Sequence, residues 1–104
     1  MFATVRRYDG IDSSNIDELT KKVGESLAPK LSKLPGFSSY FLIDTGNGVM
    51  SSIGLFETST QANESTRVAS EWVRDEKLEN ILKSPPKVTD GEVIVHKTMN
   101  GIKA

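Results

Sequence analysis

The sequence contains no cysteine, which excludes disulfides, zinc–thiolate centres and thiol nucleophiles and is compatible with a reducing compartment. It has a single histidine, His96, and its carboxylates show no ligand spacing, so no metal is expected. Long apolar runs are missing as well. None is longer than Phe41-Leu42-Ile43, and no membrane span is expected. The opening stretch carries Arg6 and Arg7 where a secretory signal needs its apolar region, which predicts a cytoplasmic protein. Charge of one sign is also scarce: 13 basic and 14 acidic residues leave a net charge of -1. Basic residues adjoin only in pairs such as Arg6-Arg7, too few for a phosphate backbone, so nucleic acid is not an expected partner. Gly46-Asn47-Gly48 falls in a hairpin rather than between a strand and a helix, and with no dinucleotide motif elsewhere no cofactor is expected.

What is present reads as one domain over residues 1–104. Phe2 to Tyr8 combines β-branched and aromatic residues and ends at Asp9-Gly10, which predicts a first strand. The period then changes. Ile16, Leu19, Val23, Leu27, Leu31 and Leu34 recur at steps of three and four, as on one face of a helix. Ser13 or Ser14 is placed to cap it, and Asp17 with Lys21 and Glu18 with Lys22 form pairs on its wet side. Pro29 has no N–H for the Glu25 carbonyl, so with Gly24 nearby a bend is expected there.

Pro35-Gly36 stops this helix. Phe37 to Asp44 reads as a second strand, with Phe37, Phe41 and Ile43 on one side and Tyr40 and Leu42 on the other. Thr45-Gly46-Asn47-Gly48 makes a hairpin loop, and Val49 to Glu57 the third strand. A second helix starts near Thr58 to Thr60. Its stripe of Ala62, Thr66, Ala69 and Val73 is narrow enough to lie close to a sheet. Leu78, Ile81 and Leu82 either prolong it or form an extra turn. Pro85-Pro86 interrupts the chain, Asp90-Gly91 re-enters it, and Glu92 to Thr98 is the predicted last strand.

The order β-α-β-β-α-β implies an α+β, ferredoxin-like antiparallel sheet with both helices on one face. Strands two, three and four present apolar residues on both sides. A sheet with one solvated face would read as mainly polar there, so a homodimer that packs sheet against sheet is predicted.

Several stretches carry a family resemblance. Leu31 to Phe41 holds Leu34-Pro35-Gly36-Phe37 running from a helix into an aromatic strand. Phe56-Glu57-Thr58 opens a small-residue helix that carries Trp72, and Gly91-Glu92-Val93-Ile94-Val95 is rich in valine. Together they resemble the dimeric α/β-barrel superfamily, in particular its antibiotic biosynthesis monooxygenase-like proteins. The resemblance implies a pocket between sheet and helices that holds a small aromatic compound, with Trp72 at the site of a cofactor-independent monooxygenase. Haem-degrading relatives add an asparagine on the first strand and a histidine on the second helix. Arg6, Arg7 and Tyr8 occupy the first strand here and the second helix has no histidine, which disfavours that activity.

The candidate substrate-binding residues are Trp72, Tyr40, His96 and Arg6, and the catalytic residues are not identifiable. Each has an ordinary reading beside the functional one. Trp72 packs well at a helix–sheet seam, where a large aromatic buries ~150 to 250 Å². His96 suits a general base, or lies at a surface or interface. Tyr40, like Tyr8, either directs a hydroxyl into a pocket or packs across strands. Arg6 and Arg7 point to opposite faces of strand one, so one turns inward. That arginine is expected to pair with a carboxylate, the alternative being an anionic ligand. Two functions stay open: an enzyme acting on a small aromatic compound, or a non-catalytic homodimer that binds a small ligand or another protein. A pocket of ~300 Å³ with converging polar groups favours the enzyme, and a closed apolar interior favours the binder.

Overall fold

A computed structural model of the chain describes residues 1–99. Its strands are β1 (Phe2–Tyr8), β2 (Phe37–Gly46), β3 (Val49–Phe56) and β4 (Lys87–Glu92), in the spatial order β2-β3-β1-β4. Every neighbouring pair is antiparallel. Helices α1 (Ile16–Lys22) and α2 (Ala28–Ser32) follow β1, and α3 (Ser59–Asp75) follows β3. This is the ferredoxin-like α+β arrangement. No helix among the described residues is long and apolar enough to cross a membrane.

The first helical layer is not the single bent helix expected. A 3₁₀ turn (Ser13–Asn15) leads into α1, and a π turn (Val23–Leu27) joins α1 to α2. Pro29 explains the π turn: it gives no N–H to the Glu25 carbonyl and its ring would crowd that carbonyl in a regular helix. Within the wider turn the Ala28 N–H reaches the Val23 carbonyl. The cap is Asp12 rather than a serine. Its carboxylate accepts from the Ser14 N–H at 2.9 Å and from the Ser14 hydroxyl at 2.8 Å. Those two bonds lower its pKa. Among the described residues Lys22 pairs with Glu76, at 3.7 Å, not with Glu18.

The β2–β3 hairpin closes on Asn47-Gly48, both with positive φ, 57° and 77°, as a two-residue turn of this hand demands. A register shift between Phe37 and Ser39 corrects the predicted alternation of β2. The bulge turns Phe37 to the same side as Tyr40 and Leu42, where it meets Phe56 edge-on with ring centroids 5.7 Å apart. Phe41 and Ile43 stay on the opposite side, exposed.

The last strand, expected at Glu92 to Thr98, instead runs from Lys87 to Glu92 and so precedes the valine-rich stretch. It pairs with β1 from Arg7↔Lys87 to Phe2↔Glu92, so the ladder ends where β1 begins. One further bond, Val93 N–H to the Met1 carbonyl at 2.9 Å, follows the ladder. Ile94 and Val95 lie beyond it and are exposed. Asp90-Gly91, a turn signal in the sequence, sits inside β4 opposite Thr4 and Ala3.

Both helical layers cover one face of the sheet. Leu19, Val23, Leu27 and Leu31 supply one side of the core, and Val68, Ala69 and Trp72 of α3 join it. Ala62, Ser65 and Ala69 are buried on α3, so small side chains let it approach the sheet. A Thr58–Gln61 capping box starts α3. Leu78 is buried in a separate 3₁₀ turn (Leu78–Asn80) that follows Lys77 at φ 57°, which settles the alternative left open by the sequence.

Candidate functional site

β1 turns Thr4, Arg6 and Tyr8 towards the helices, because side chains alternate along a strand. β3 pairs with it in the register Arg6↔Ser52 and Tyr8↔Met50, and β2 brings Tyr40 and Leu42 alongside. These residues enclose a cavity of about 30 Å³. Its polar lining consists of Arg6, Tyr8, Tyr40 and Ser52, together with the indole of Trp72. The other walls, among them Leu19, Val23 and Leu27, are apolar. The interior is therefore neither the roomy pocket expected of an enzyme nor a purely apolar one.

Arg6 is the inward arginine, 2% exposed, while Arg7 points out and pairs with Asp9 at 3.0 Å. The expected carboxylate partner of Arg6 does not materialise. Among the described residues no Asp or Glu lies within ion-pair distance of it. Its Nη1 donates to Thr66 Oγ1 at 3.2 Å, and the same hydroxyl lies 3.3 Å from Thr4 Oγ1. Ser52 Oγ, also buried, has no hydrogen-bond partner. Burial raises the pKa of both Tyr8 and Tyr40, and the positive charge of Arg6, with hydrogen bonding to its guanidinium, only partly opposes it. Both phenols stay protonated near neutrality and do not neutralise the guanidinium.

Trp72 is 3% exposed. Its Nε1–H donates to Ser26 Oγ at 2.9 Å, so the wall of the cavity is pinned to the π turn. Two surface grooves share walls with the cavity. One, of about 270 Å³, is bounded by Tyr8, Val73 and Leu82 and by Lys83 to Pro86. The other, of about 280 Å³, is bounded by Val23, Tyr40, Leu42 and Met50 beneath the π turn.

Of the four sequence candidates, Arg6, Tyr40 and Trp72 meet at the cavity. His96 does not. It is exposed in the segment after β4, because the strand that was to carry it ends at Glu92. Ser52, Ser26 and Thr66 were missed. Ser52 could be found only by pairing β3 with β1, since its own neighbours read as an ordinary strand. No group of acidic residues or histidine placed to hold a metal occurs among the described residues.

Solved structures locate this architecture among known folds. A Nitrosomonas europaea protein of unknown function superposes with a TM-score of 0.75 at 17% identity, over 96% of this chain and 95% of its own. A monooxygenase of Streptomyces coelicolor, solved with the ligand nanaomycin D, gives 0.68 at 17% identity over 93% and 92%. A dimeric ferredoxin-like protein from an uncultured marine organism gives 0.67 at 14% identity over 93% and 97%. Structures of antibiotic biosynthesis monooxygenases lie in the same set. The chain shares the ferredoxin-like fold of these structures. No family model matches its sequence, and no curated protein is similar to it at a significant level.

Proposed function

We propose that the cavity between sheet and helices binds a small, largely apolar aromatic compound, and that the protein is a cofactor-independent, monooxygenase-like enzyme acting on it. The observation that carries this reading is the convergence of Arg6, Tyr40 and Trp72, with Tyr8 and Ser52, on one otherwise apolar cavity. Apolar walls take up a ring and a few fixed polar groups orient it. The fold shared with a monooxygenase solved with nanaomycin D supports the same class of chemistry. Oxygenation without a bound redox group needs a substrate that turns into an electron-rich anion on losing a proton. Such a substrate reduces dioxygen itself: a ring CH₂ becomes C=O, and the second oxygen atom leaves as water.

The cavity, at about 30 Å³, is water-sized, so a ring enters only when a wall moves. Tyr8, Val73 and Leu82 separate it from the 270 Å³ groove, and their outward shift joins the two spaces. A thermal-shift screen of aromatic metabolites, followed by oxygen-electrode assays of the hits, tests the reading. A ligand at a hundredfold its dissociation constant adds about 2.7 kcal/mol of stability. A screen with no hit would reject the aromatic site.

A second reading, a non-catalytic ligand-binding homodimer, is favoured by the lack of an acid, base and nucleophile set at the cavity among the described residues. Ligand stabilisation without dioxygen uptake would select it. The homodimer itself belongs to both readings. It is supported by the apolar free face of the sheet, where Val5, Ile53 and Phe41 form one cross-strand row. The cysteine-free composition supports placing the protein in the cytoplasm.

A further inference from the structure

We propose that Arg6 is an anion receptor and that the cavity selects aromatic compounds carrying an anionic oxygen, a ring carboxylate or an ionised phenol. The proposal rests on the aromatic-binding reading above and narrows its substrate class.

A guanidinium stays charged at all relevant pH, and its burial is strongly unfavourable unless an opposite charge and hydrogen bonds compensate. Arg6 is 2% exposed, and the ion pairs of the described residues are all elsewhere, at Arg7–Asp9, Lys22–Glu76 and around Arg67. Thr66 Oγ1 occupies one of its five N–H donors and contributes no charge. Beside it Ser52 Oγ is buried without a partner, directly across the β1–β3 register. Tyr8 and Tyr40 complete the polar lining as neutral hydroxyls. The cavity thus presents one uncompensated positive charge and several hydroxyl donors, and it holds no anion of its own. What satisfies such a set is an oxygen anion, which a guanidinium binds through short charge-assisted hydrogen bonds. The aliphatic walls around it require that the anion be attached to an apolar body.

Paired probes that differ only in charge provide the test: benzoate against benzamide, and 4-nitrophenol, which ionises near neutrality with a visible colour change, against nitrobenzene. Wild-type protein is expected to bind each anion at least tenfold more tightly than its neutral counterpart, and bound 4-nitrophenol is expected to ionise at lower pH than free. In Arg6→Gln both the preference and the colour shift disappear while nitrobenzene still binds. Arg6→Met should melt at higher temperature than wild type, since it removes a buried charge that the empty fold meets with neutral hydroxyls alone. Equal affinity for charged and neutral members in wild-type protein overturns the receptor but leaves the aromatic site standing. Failure of every aromatic probe overturns both. Retention of the preference in Arg6→Gln, or tight binding of inorganic phosphate with no preference for aromatic anions, also overturns the assignment.

Discussion

The Trp72 indole donates to the Ser26 hydroxyl across 2.9 Å, and this one bond joins α3 to the π turn on the opposite side of the cavity. Trp72 is buried on every side, so Trp72→Ala removes a large packed ring and is expected to cost about 3 to 5 kcal/mol. Ser26→Ala keeps the packing but strands a buried N–H, at about 1 to 3 kcal/mol. Urea denaturation of the two single variants and the double variant measures the coupling. Fully additive losses would show that the bond contributes nothing.

A glycine at position 36 holds together the two motifs on which the family resemblance rests. Gly36 has φ 76°, and a Cβ there would collide with the Gln61 side chain. Gln61 is already committed, because its Oε1 accepts the Thr58 N–H at 3.1 Å in the capping box of α3. The Glu57 N–H also bonds the Gly36 carbonyl at 3.0 Å. Gly36→Ala therefore strains the backbone and displaces the cap, and should destabilise by about 2 to 3 kcal/mol. With Gln61→Ala already in place the collision is relieved, and the same change should cost clearly less in thermal or chemical unfolding. An equal cost in both backgrounds would assign the effect to φ alone.

Alkaline pH should weaken the fold through the two phenols of the cavity. Tyr8 and Tyr40 are both raised above the ordinary tyrosine value of about 10, mainly by burial. The unfolded chain ionises first as pH rises, so their contribution is intact below about pH 10 and is lost as pH climbs through the folded values. Melting temperatures at stepwise higher pH, read beside the ultraviolet absorbance of tyrosinate, check this. Tyr8→Phe and Tyr40→Phe should flatten the decline. A decline unchanged in the double variant would sink the attribution.

Much of the fold was legible because local signals and tertiary pairing agree. The step of three and four from Ile16 to Leu31 is the buried face of the first helical layer, and Asn47-Gly48 is the hairpin turn. The misreadings fall where pairing overrides propensity. Val93-Ile94-Val95 favours a strand, yet β1 pairs with the less apolar Lys87 to Glu92 instead. Phe37 obeys the alternation of β2 until a bulge reverses its side. The inward turn of one strand-one arginine followed from alternation alone, but its lack of a carboxylate partner depends on what β3 and α3 place around it.

The free face of the sheet makes the last prediction. Ala3 and Val5 of β1, Ile53 and Leu55 of β3, and Phe41 and Ile43 of β2 lie on the side that no helix covers. Phe41 is 52% exposed and Ile43 41% exposed, although both are large apolar side chains. Water against such a face is unfavourable at roughly 25 cal/mol per Å² of apolar surface, and a second copy presenting the same face removes it symmetrically. Gel filtration coupled to light scattering at micromolar concentration is expected to give twice the 11.4 kDa chain mass. Ile53 stands between Val5 and Phe41 in the cross-strand register, so Ile53→Lys places a charge at the middle of the contact. That variant should elute as a monomer with its helical circular dichroism retained, because the substituted side chain faces away from the core. A wild-type monomer would remove the dimer, and a dimer that survives Ile53→Lys would move the interface to another surface.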